Sequence, residues 1–407
     1  MSKGEERERD NRMTQHHHTL YDSVLEERKK KGLYRVIQGD EGGHADTTGN
    51  ITRGGRPCVN WGSNDYLAMS LDPFLIARAQ EWAARWGVGS GASRLLGCHH
   101  QSLCHKVERA IAAGKGMEAS LLFACGWMAN VSVLSSLLRA DVGMGQDVAI
   151  YTDRLNHESL HRGCQLAGVR ERRYRHLDLN HLETLLSKDH VRYRYIVSET
   201  LFSMDGDCVD IQGLVELARK YHAFLYLDDA HAMGVFGKNG FGMTESVAGI
   251  DMVMTTFGKA LGGFAASICC RHAMREYLIN CCGGVIYSTA LPPPLLGALD
   301  AGLERLVMLT ARRKKLLDGA AVMRRRLRHA GYDCLSSQSH IIPIIVKGAF
   351  SVHNVARQLW ERGHYVPFIR TPTVPKHQER LRISMTSAHT RDDMDGLFHA
   401  LTQAYPL

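Results

Sequence analysis

Between about residue 117 and residue 270, short apolar runs alternate with helical patterns along this 407-residue chain. The runs occupy Val148–Tyr151, Tyr195–Ser198, Ala223–Leu227, Met252–Thr256 and Ala265–Cys270. Apolar runs this short, separated by amphipathic helices, are typical of buried parallel strands. The pattern therefore predicts an α/β fold with a mostly parallel sheet that carries helices on both faces.

Polar motifs follow two of these strands at the point where each strand ends. Asp228-Asp229-Ala230-His231 follows the third run, and Phe257-Gly258-Lys259 follows the fourth. In open α/β sheets, ligands bind beyond the carboxyl ends of the strands. A lysine near a carboxylate and an imidazole suits a Schiff base with pyridoxal 5'-phosphate (PLP), because the carboxylate keeps the pyridine nitrogen protonated. A surface lysine after a strand would show the same local sequence, so the spacing alone leaves both interpretations open.

Composition narrows the class of protein. A hydrophobic fraction of 44% and a charged fraction of 23% are ordinary for a soluble globular protein, and 407 residues exceed one comfortable core. No apolar run reaches the ~18 residues of a membrane span. The charged N-terminus lacks the apolar core of a signal peptide. We expect a cytoplasmic protein that does not bind membranes.

The net charge of +8 is spread along the chain instead of forming a stripe interleaved with aromatic residues. This distribution argues against nucleic-acid binding and favours a general attraction for anionic substrates. The 11 cysteines are scattered through the predicted strands and helices. In a chain of this length they predict reduced, mostly buried thiols.

Further motifs accumulate in chain order. They are Ser63-Asn64-Asp65-Tyr66-Leu67, Gly89-Ser90-Gly91-Ala92-Ser93-Arg94-Leu95, Cys125-Gly126-Trp127-Met128-Ala129-Asn130, Arg154-Leu155-Asn156-His157-Glu158-Ser159, Glu199-Thr200-Leu201-Phe202-Ser203-Met204-Asp205-Gly206-Asp207, Tyr287-Ser288-Thr289-Ala290-Leu291-Pro292-Pro293 and Arg370-Thr371-Pro372-Thr373-Val374-Pro375. Together with the two motifs above, they resemble those of the α-oxoamine synthases, a branch of the fold-type-I PLP-dependent transferases. Each motif is weak alone, but their number and order are specific, and the resemblance extends from about Tyr34 to the C-terminus.

The resemblance implies a large domain with a mostly parallel seven-stranded sheet plus a smaller α/β C-terminal domain. The corresponding divisions are an N-terminal segment at residues 1–60, a PLP-binding large domain at 61–294 and a small domain at 295–407. A long helical segment, from about residue 295 to residue 330, is predicted to open the small domain. The resemblance also implies a homodimer with active sites at the subunit interface.

The resemblance assigns roles at the cofactor. Lys259 is the Schiff-base and proton-transfer residue, Asp228 pairs with the pyridinium nitrogen, and His157 stacks on the ring. The remaining cofactor-binding residues are His231 and Ser203 around the ring hydroxyl, Gly126, Trp127 and Thr256 at the phosphate, and Ser288 and Thr289 at the phosphate of the neighbouring subunit. Lys259, His157, Asp228 and His231 form the expected catalytic set.

The implied reaction is the PLP-dependent decarboxylative condensation of an amino acid with an acyl thioester, carried by CoA or acyl-carrier protein, to give an amino ketone. Arg370 is expected to bind the amino-acid carboxylate, and the other expected substrate-binding residues are Arg35, Asn64, Glu199 and Thr373. The most similar branch uses L-alanine and a pimeloyl thioester in biotin biosynthesis. Ser93 stands where the glycine-using 5-aminolevulinate synthases resemble one another in carrying threonine, which favours L-alanine.

Other interpretations stay open. Glycine C-acetyltransferase, 5-aminolevulinate synthase, serine palmitoyltransferase and a long-acyl signal synthase would share the catalytic residues, and a PLP-binding protein without turnover is a hypothesis from another class. The stretch from Cys98 to His105 departs from the family pattern and contains two cysteines and three histidines. Ala68 is a second departure, because glycine is more usual at that position. The cysteines and histidines of 98–105 leave a metal-binding role for this stretch open as a third hypothesis, although their spacing matches no common zinc pattern and the run His16–His18 is a weak metal site, so no metal ligand is assigned among the predicted site residues.

Overall fold

The computed structural model describes residues 3–37, 50–53, 55–139, 147–347 and 351–407, and side chains from residue 17 onward. The helices are α1 (Lys3–Lys30), α2 (Pro73–Trp86), α3 (Gln101–Lys115), α4 (Gly126–Leu137), α5 (Glu158–Leu166), α6 (Leu179–Lys188), α7 (Ile211–Lys220), α8 (His272–Cys281), α9 (Gly283–Ile286), α10 (Pro293–Leu306), α11 (Thr310–His329), α12 (Val352–Glu361) and α13 (Arg391–Ala404). The strands are β1 (Asn50–Arg53), β2 (Arg56–Asn60), β3 (Ala119–Phe123), β4 (Val148–Asp153), β5 (Glu171–Tyr174), β6 (Tyr193–Glu199), β7 (Ala223–Asp228), β8 (Met252–Thr256), β9 (Ala266–Cys270), β10 (Ile341–Ile345), β11 (His364–Tyr365), β12 (Phe368–Ile369) and β13 (Arg380–Ser384).

A seven-stranded sheet lies at the centre of the molecule, in the order β3-β9-β8-β7-β6-β4-β5. Strand β9 runs antiparallel to both of its neighbours, whereas the pairs from β8 to β5 are parallel. Alternate residues of β7 point into different apolar clusters: Leu225 and Leu227 into one, and Tyr226 into the other. Both faces are therefore buried, which explains the uninterrupted apolar runs. The predicted α/β fold with a mostly parallel seven-stranded sheet is confirmed.

Helix α2 shows how local sequence sets the bounds of an element. The side chain of Asp72 accepts a hydrogen bond from the N–H of Phe74, and Pro73 occupies the first turn, where its missing N–H costs nothing. The helix ends at Gly87, which has a positive φ of 86°. Both signals are legible in the sequence.

The segments at the two ends of the chain pair with each other. Strand β2 pairs antiparallel with β1 and parallel with β11, so a strand before residue 61 joins one after residue 360. A second small sheet has the order β10-β13-β12 and is antiparallel throughout. The domain boundaries at residues 60 and 294 stay predictions.

The predicted helical segment from 295 to 330 is two helices, α10 and α11, separated at residues 307–309. The chain between them tightens, because Met308 N–H donates to Arg305 O at 2.9 Å and Leu309 N–H donates to Leu306 O at 3.1 Å. The guanidinium of Arg313 donates to Leu306 O at 2.9 Å and so satisfies a carbonyl at the end of α10. The break between α10 and α11 depends on this contact. No glycine or proline at residues 307–309 marks the break in the sequence.

Helix α1 extends from Lys3 to Lys30. Of the run His16–His18, the side chains of His17 and His18 are exposed, and that of His16 lies outside the described residues. No helix in the described part of the chain is both long enough and apolar enough to cross a membrane. All eleven cysteines are free thiols.

Candidate active site

Two carboxylates lie side by side where β6 and β7 end. Glu199 and Asp228 are register partners in the parallel pairing of these strands, and both are buried. Burial raises the pKa of Glu199 well above its ordinary value, and the neighbouring charge of Asp228 adds to the shift. Glu199 Oε1 accepts a hydrogen bond of 2.6 Å from the backbone N–H of His157. The strand ends thus place Glu199, Asp228 and the start of α5 together.

Asp228 is fixed by donors on both carboxylate oxygens. Asn130 Nδ2 donates to Oδ2 at 2.8 Å, and the backbone N–H of Ala230 donates to Oδ1 at 3.0 Å. The amide of Asn130 is itself oriented, because its Oδ1 accepts the hydroxyl of Tyr226 at 2.7 Å. A buried carboxylate held in this way can present a fixed negative charge to a cationic ring nitrogen.

Lys259 follows β8 and is partly buried. Burial lowers its pKa, against the opposing effect of the negative charges of Asp228 and Glu199. Among the described residues, no hydrogen bond or ion pair holds its Nζ. A lysine with a lowered pKa and a free amine is suited to nucleophilic attack on a carbonyl.

His157 occupies the N-cap position of α5. Its Nδ1 accepts the backbone N–H of Ser159 at 3.3 Å and lies 2.7 Å from Ser159 Oγ. Because Nδ1 accepts this N–H, the neutral ring carries its proton on Nε2. The protein atoms around the ring desolvate it and lower the pKa of His157, although part of the residue remains open to solvent. The indole of Trp127 stands edge-on to this imidazole, with 6.1 Å between ring centroids. The ring is therefore locked in orientation although the residue stays exposed.

A hydrogen-bond chain runs from His231 toward the C-terminal part of the molecule. His231 Nδ1 lies 2.7 Å from Tyr66 Oη, whose hydroxyl donates to Asn64 Oδ1 at 3.0 Å. Burial lowers the pKa of His231 well below its usual range, which keeps the ring neutral. Arg382 donates to Asn64 Oδ1 at 3.3 Å and to the backbone carbonyl of Ser203 at 2.6 Å. The chain joins three of the predicted residues.

The start of α4 lies beside the end of β8. A Cβ placed on Gly126 would come within 3.5 Å of Met254 Cε and 3.9 Å of Thr256 Cβ. Cys125, the N-cap, makes no side-chain hydrogen bond to the helix, so the first-turn N–H groups have no side-chain acceptor. Such a helix start, with a hydroxyl near it, is a site for a phosphate. With Lys259 and the carboxylates, the donor set fits PLP.

The remaining predicted residues form two groups. Ser288 Oγ lies 3.8 Å from the sulfur of Met128 in α4, and Thr289 bridges to Ser93 through the backbone. Arg370, Arg35 and Thr373 lie together elsewhere. Arg370 donates to the carbonyls of Gly32 and Tyr34, the latter at 2.6 Å, and Arg35 Nη2 is 3.4 Å from Thr373 Oγ1. Within the described chain, no hydrogen bond links this second group to Lys259.

Two residues of the site were not assigned from the sequence. Asn130 stands four positions after Gly126, so both face the same side of α4, and that spacing is a usable signal. Arg382 is 318 positions from Asn64 in the chain, and nothing local marks it.

The sheet, the lysine beyond β8, the carboxylate beyond β7 and the open start of α4 define a fold-type-I PLP-dependent transferase. A model of the aminotransferase class I and II family matches residues 56–401. The 8-amino-7-oxononanoate synthase of Gluconacetobacter diazotrophicus is 43% identical over 389 residues, which cover 95% of this chain and 96% of that protein.

Solved structures agree. Sphingomonas wittichii serine palmitoyltransferase has a TM-score of 0.85 at 26% identity, covering 94% of this chain and 96% of that one. An SPT variant with PLP has a TM-score of 0.87 at 25% identity, covering 95% and 98%. The chain belongs to the aminotransferase class I and II family and, within it, to the PLP-dependent α-oxoamine synthases. It is a PLP-dependent acyltransferase.

Proposed function

We propose that this enzyme condenses L-alanine with a pimeloyl thioester, with loss of carbon dioxide, to give the amino ketone 8-amino-7-oxononanoate, as in biotin biosynthesis. The observation that carries the proposal is the 43% identity, over nearly the whole of both chains, to a relative named 8-amino-7-oxononanoate synthase. Ser93 supports L-alanine over glycine, because the glycine-using 5-aminolevulinate synthases carry threonine at this position. The acyl carrier is CoA or acyl-carrier protein.

When bound, PLP supplies an electron-accepting ring that stabilises negative charge at the amino-acid Cα. Asp228, oriented by Asn130, would keep the ring nitrogen protonated. His157 would cover the ring, and Lys259, with its pKa lowered by burial, would take and return the proton at Cα. The N–H groups at Gly126 and Trp127 would hold the phosphate together with the hydroxyl of Thr256.

The neutral imidazole of His231 is proposed to act at the ring hydroxyl of the cofactor. His231 and the hydroxyl of Ser203 would hydrogen-bond to the ring hydroxyl of the cofactor. Tyr66 orients His231 from behind, and Arg382 fixes the backbone of Ser203. Because His231 is neutral, it can share a proton with that hydroxyl without adding charge.

Arg370 binds the carboxylate of the amino acid in this proposal. Its guanidinium donates to two acceptors, the carbonyls of Gly32 and Tyr34. A substrate carboxylate would replace one or both carbonyls with a stronger, charge-assisted pair. Arg35 and Thr373 lie beside this position, and Asn64 and Glu199 line the cofactor side.

The proposed assembly is a homodimer in which Ser288 and Thr289 reach the phosphate of the neighbouring site. Large apolar side chains near this turn support an interface: Tyr287 is 86% exposed, Leu96 is 85% exposed and Val88 is 80% exposed. Monomeric proteins rarely leave such side chains clustered in water.

The experiment is a thioester-consumption assay with purified PLP-loaded enzyme. L-alanine, glycine and L-serine are each combined with acetyl-, succinyl-, pimeloyl- and palmitoyl-CoA, and pimeloyl-acyl-carrier protein is added as a fifth donor. Turnover confined to L-alanine with a pimeloyl donor is the expected result. Turnover with another pair would overturn the substrate assignment and keep the α-oxoamine synthase chemistry. Silence with every pair would favour a PLP-binding protein without turnover.

A further inference from the structure

Two thiols and an imidazole converge where α3 begins. The donor atoms of Cys98, His100 and Cys104 all lie within 4.8 Å of one another. All three side chains are buried, whereas His99 and His105 of the same stretch are exposed. The fold therefore selects one histidine of three and brings both cysteines to it.

The imidazole of His100 leaves one nitrogen unused. Its Nε2 lies 2.8 Å from the carbonyl oxygen of Leu291, which fixes Nε2 as the proton-bearing nitrogen. Nδ1 is then a lone pair, and it is buried without a hydrogen-bond partner among the described residues. A buried lone pair without a partner is costly in an interior. Metal-bound histidines have this arrangement, with the second nitrogen donating to a backbone carbonyl.

The sequence spacing of the three residues does not reveal this arrangement, because the proposed ligands come from both a loop and a helix. His100 is the N-cap of α3 and Cys104 stands one helical turn later, so both face the same side. Cys98 approaches from the preceding loop. A tetrahedral Zn²⁺ with Zn–S of about 2.3 Å and Zn–N of about 2.0–2.1 Å needs donor separations of about 3.5–3.8 Å. Donor atoms within 4.8 Å require only a small contraction.

The surrounding charges are compatible with two thiolates and one divalent cation. Arg94 lies nearby, but its guanidinium is paired with both oxygens of Glu108.

We propose that Cys98, His100 through Nδ1, and Cys104 bind one Zn²⁺ ion, with water as the fourth ligand. The ion ties the start of α3 to Leu291, two residues after the Ser288-Thr289 pair, and it is independent of which substrates the enzyme uses.

A second group of possible metal ligands in the described chain differs from the first, because its histidine has no free nitrogen. His176, Asp205 and Asp207 also lie close together. Both nitrogens of His176 are engaged, by Asp153 at 2.9 Å and by Asp207 at 3.1 Å, and Asp205 is paired with Arg380. That histidine has no free lone pair, so the proposal is confined to the group at α3.

The test uses Co²⁺ as a spectroscopic substitute for Zn²⁺ in the PLP-loaded enzyme. Protein stripped with a chelator under reducing conditions is titrated with Co²⁺ and then with Zn²⁺. The expected result is one equivalent of tetrahedral cobalt, with intense visible ligand-field bands at longer wavelength than PLP absorption, which Zn²⁺ abolishes. Cys104→Ser and His100→Gln should each weaken Co²⁺ binding at least tenfold, whereas Cys334→Ser, a buried cysteine elsewhere, should not.

Three outcomes would overturn the proposal. One is the absence of tetrahedral cobalt bands in the wild-type enzyme, which needs no variant to fold. Another is binding that Cys104→Ser and His100→Gln leave unchanged. The third is a Cys98–Cys104 disulfide in the freshly purified protein, detected by peptide mapping without reduction, which would assign the two thiols a redox role instead.

Discussion

Asn130 Nδ2 donates a hydrogen bond of 2.8 Å to Asp228 Oδ2, so a helix residue orients the carboxylate that ends the neighbouring strand β7. The same amide donates to Ser159 Oγ at 2.9 Å, and Ser159 Oγ lies 2.7 Å from His157 Nδ1. One side chain thus positions both the carboxylate and the imidazole of the proposed cofactor site. Loss of the Asn130 side chain should therefore weaken cofactor binding more than it destabilises the fold.

The variant Asn130→Ala should weaken PLP binding. Removing the amide leaves a buried carboxylate short of one donor, at a cost of about 1–3 kcal/mol, which corresponds to roughly a tenfold to hundredfold rise in the PLP dissociation constant if the cost falls on the bound state. The measurement is a PLP titration followed by absorbance. The control Asn280→Ala removes an exposed amide that bonds only to its own helix. Unchanged PLP affinity in Asn130→Ala would show that the amide does not support the cofactor.

Ala68 should be replaceable by glycine with a gain in stability. Ala68 has a φ of +52°, a left-handed conformation held by the side chain of Asp65, which accepts the N–H groups of Met69 and Ser70. The conformation costs a residue with a Cβ about 1–2 kcal/mol, and glycine costs about 0.5–1 kcal/mol in chain entropy. We expect Ala68→Gly to raise the melting temperature by about 1–2 °C. Ala77→Gly, in the middle of α2, is the control and should lower it.

The parts of this structure that could be read from the sequence are those that local chemistry decides. Apolar runs gave strands because both faces of the sheet are buried, and Asp72 with Gly87 marked the ends of α2. Lys259 and Asp228 could be placed at one edge because parallel strands end together. The number of strands in the sheet and the site roles came from the family resemblance instead.

The parts that could not be predicted depend on contacts between distant segments. The break between α10 and α11 rests on Arg313, and the support of Asn64 rests on Arg382, far along the chain. The convergence of Cys98, His100 and Cys104 needs a loop to fold back on a helix start, which no spacing rule encodes. Arg370 was predicted at the substrate, yet its bonds to the segment at 32–34 could not be foreseen.

His176 should stabilise the fold at neutral pH and lose that effect in alkali. Burial alone would lower its pKa, but hydrogen bonds to Asp153 and Asp207 outweigh burial and raise the pKa to about 9. Because the folded-state pKa exceeds the unfolded value of about 6.5, the contribution is complete below pH 6.5 and fades as the pH rises through 9. It amounts to about 3 kcal/mol at most.

The measurement is the melting temperature of wild type and His176→Gln at several pH values. The deficit of the variant should be largest near pH 6 and should shrink toward pH 10. His190→Gln, at an exposed histidine, should show no such trend. A deficit that is the same at pH 6 and pH 10 would mean that the imidazolium does not contribute through its charge.

Arg370→Lys should raise the Michaelis constant for the amino acid more than it lowers kcat. Lysine keeps the positive charge but loses the paired N–H groups that now reach two carbonyls, so the substrate carboxylate loses a bond worth about 1.5–3 kcal/mol. A rise of roughly tenfold to hundredfold follows. Arg357→Lys, on an exposed helix face, is the control. If only kcat falls, the carboxylate is bound elsewhere.

Two inactive variants should restore activity to each other if the proposed dimer shares its sites. Lys259→Ala removes the residue that moves the proton, and the double variant Ser288→Ala, Thr289→Ala removes the hydroxyls proposed to act on the neighbouring phosphate. In a mixed dimer one site carries both defects and the other carries neither. The two variants are mixed at equal concentrations and exchange subunits without being unfolded. Random pairing makes half of the dimers mixed, and each mixed dimer has one working site of two, so about a quarter of wild-type activity should return.

The assay is run at a PLP concentration that saturates the wild type but not the double variant, so that each parent alone is silent. Native mass spectrometry of the mixture, with an affinity tag on Lys259→Ala alone to separate the dimers by mass, measures how completely the subunits exchange. Restored activity near a quarter requires that the hydroxyls and the lysine of one site come from different chains. Parents that exchange but stay silent would place Ser288 and Thr289 at the site of their own chain, where Ser288 already lies 3.8 Å from Met128 at the start of α4.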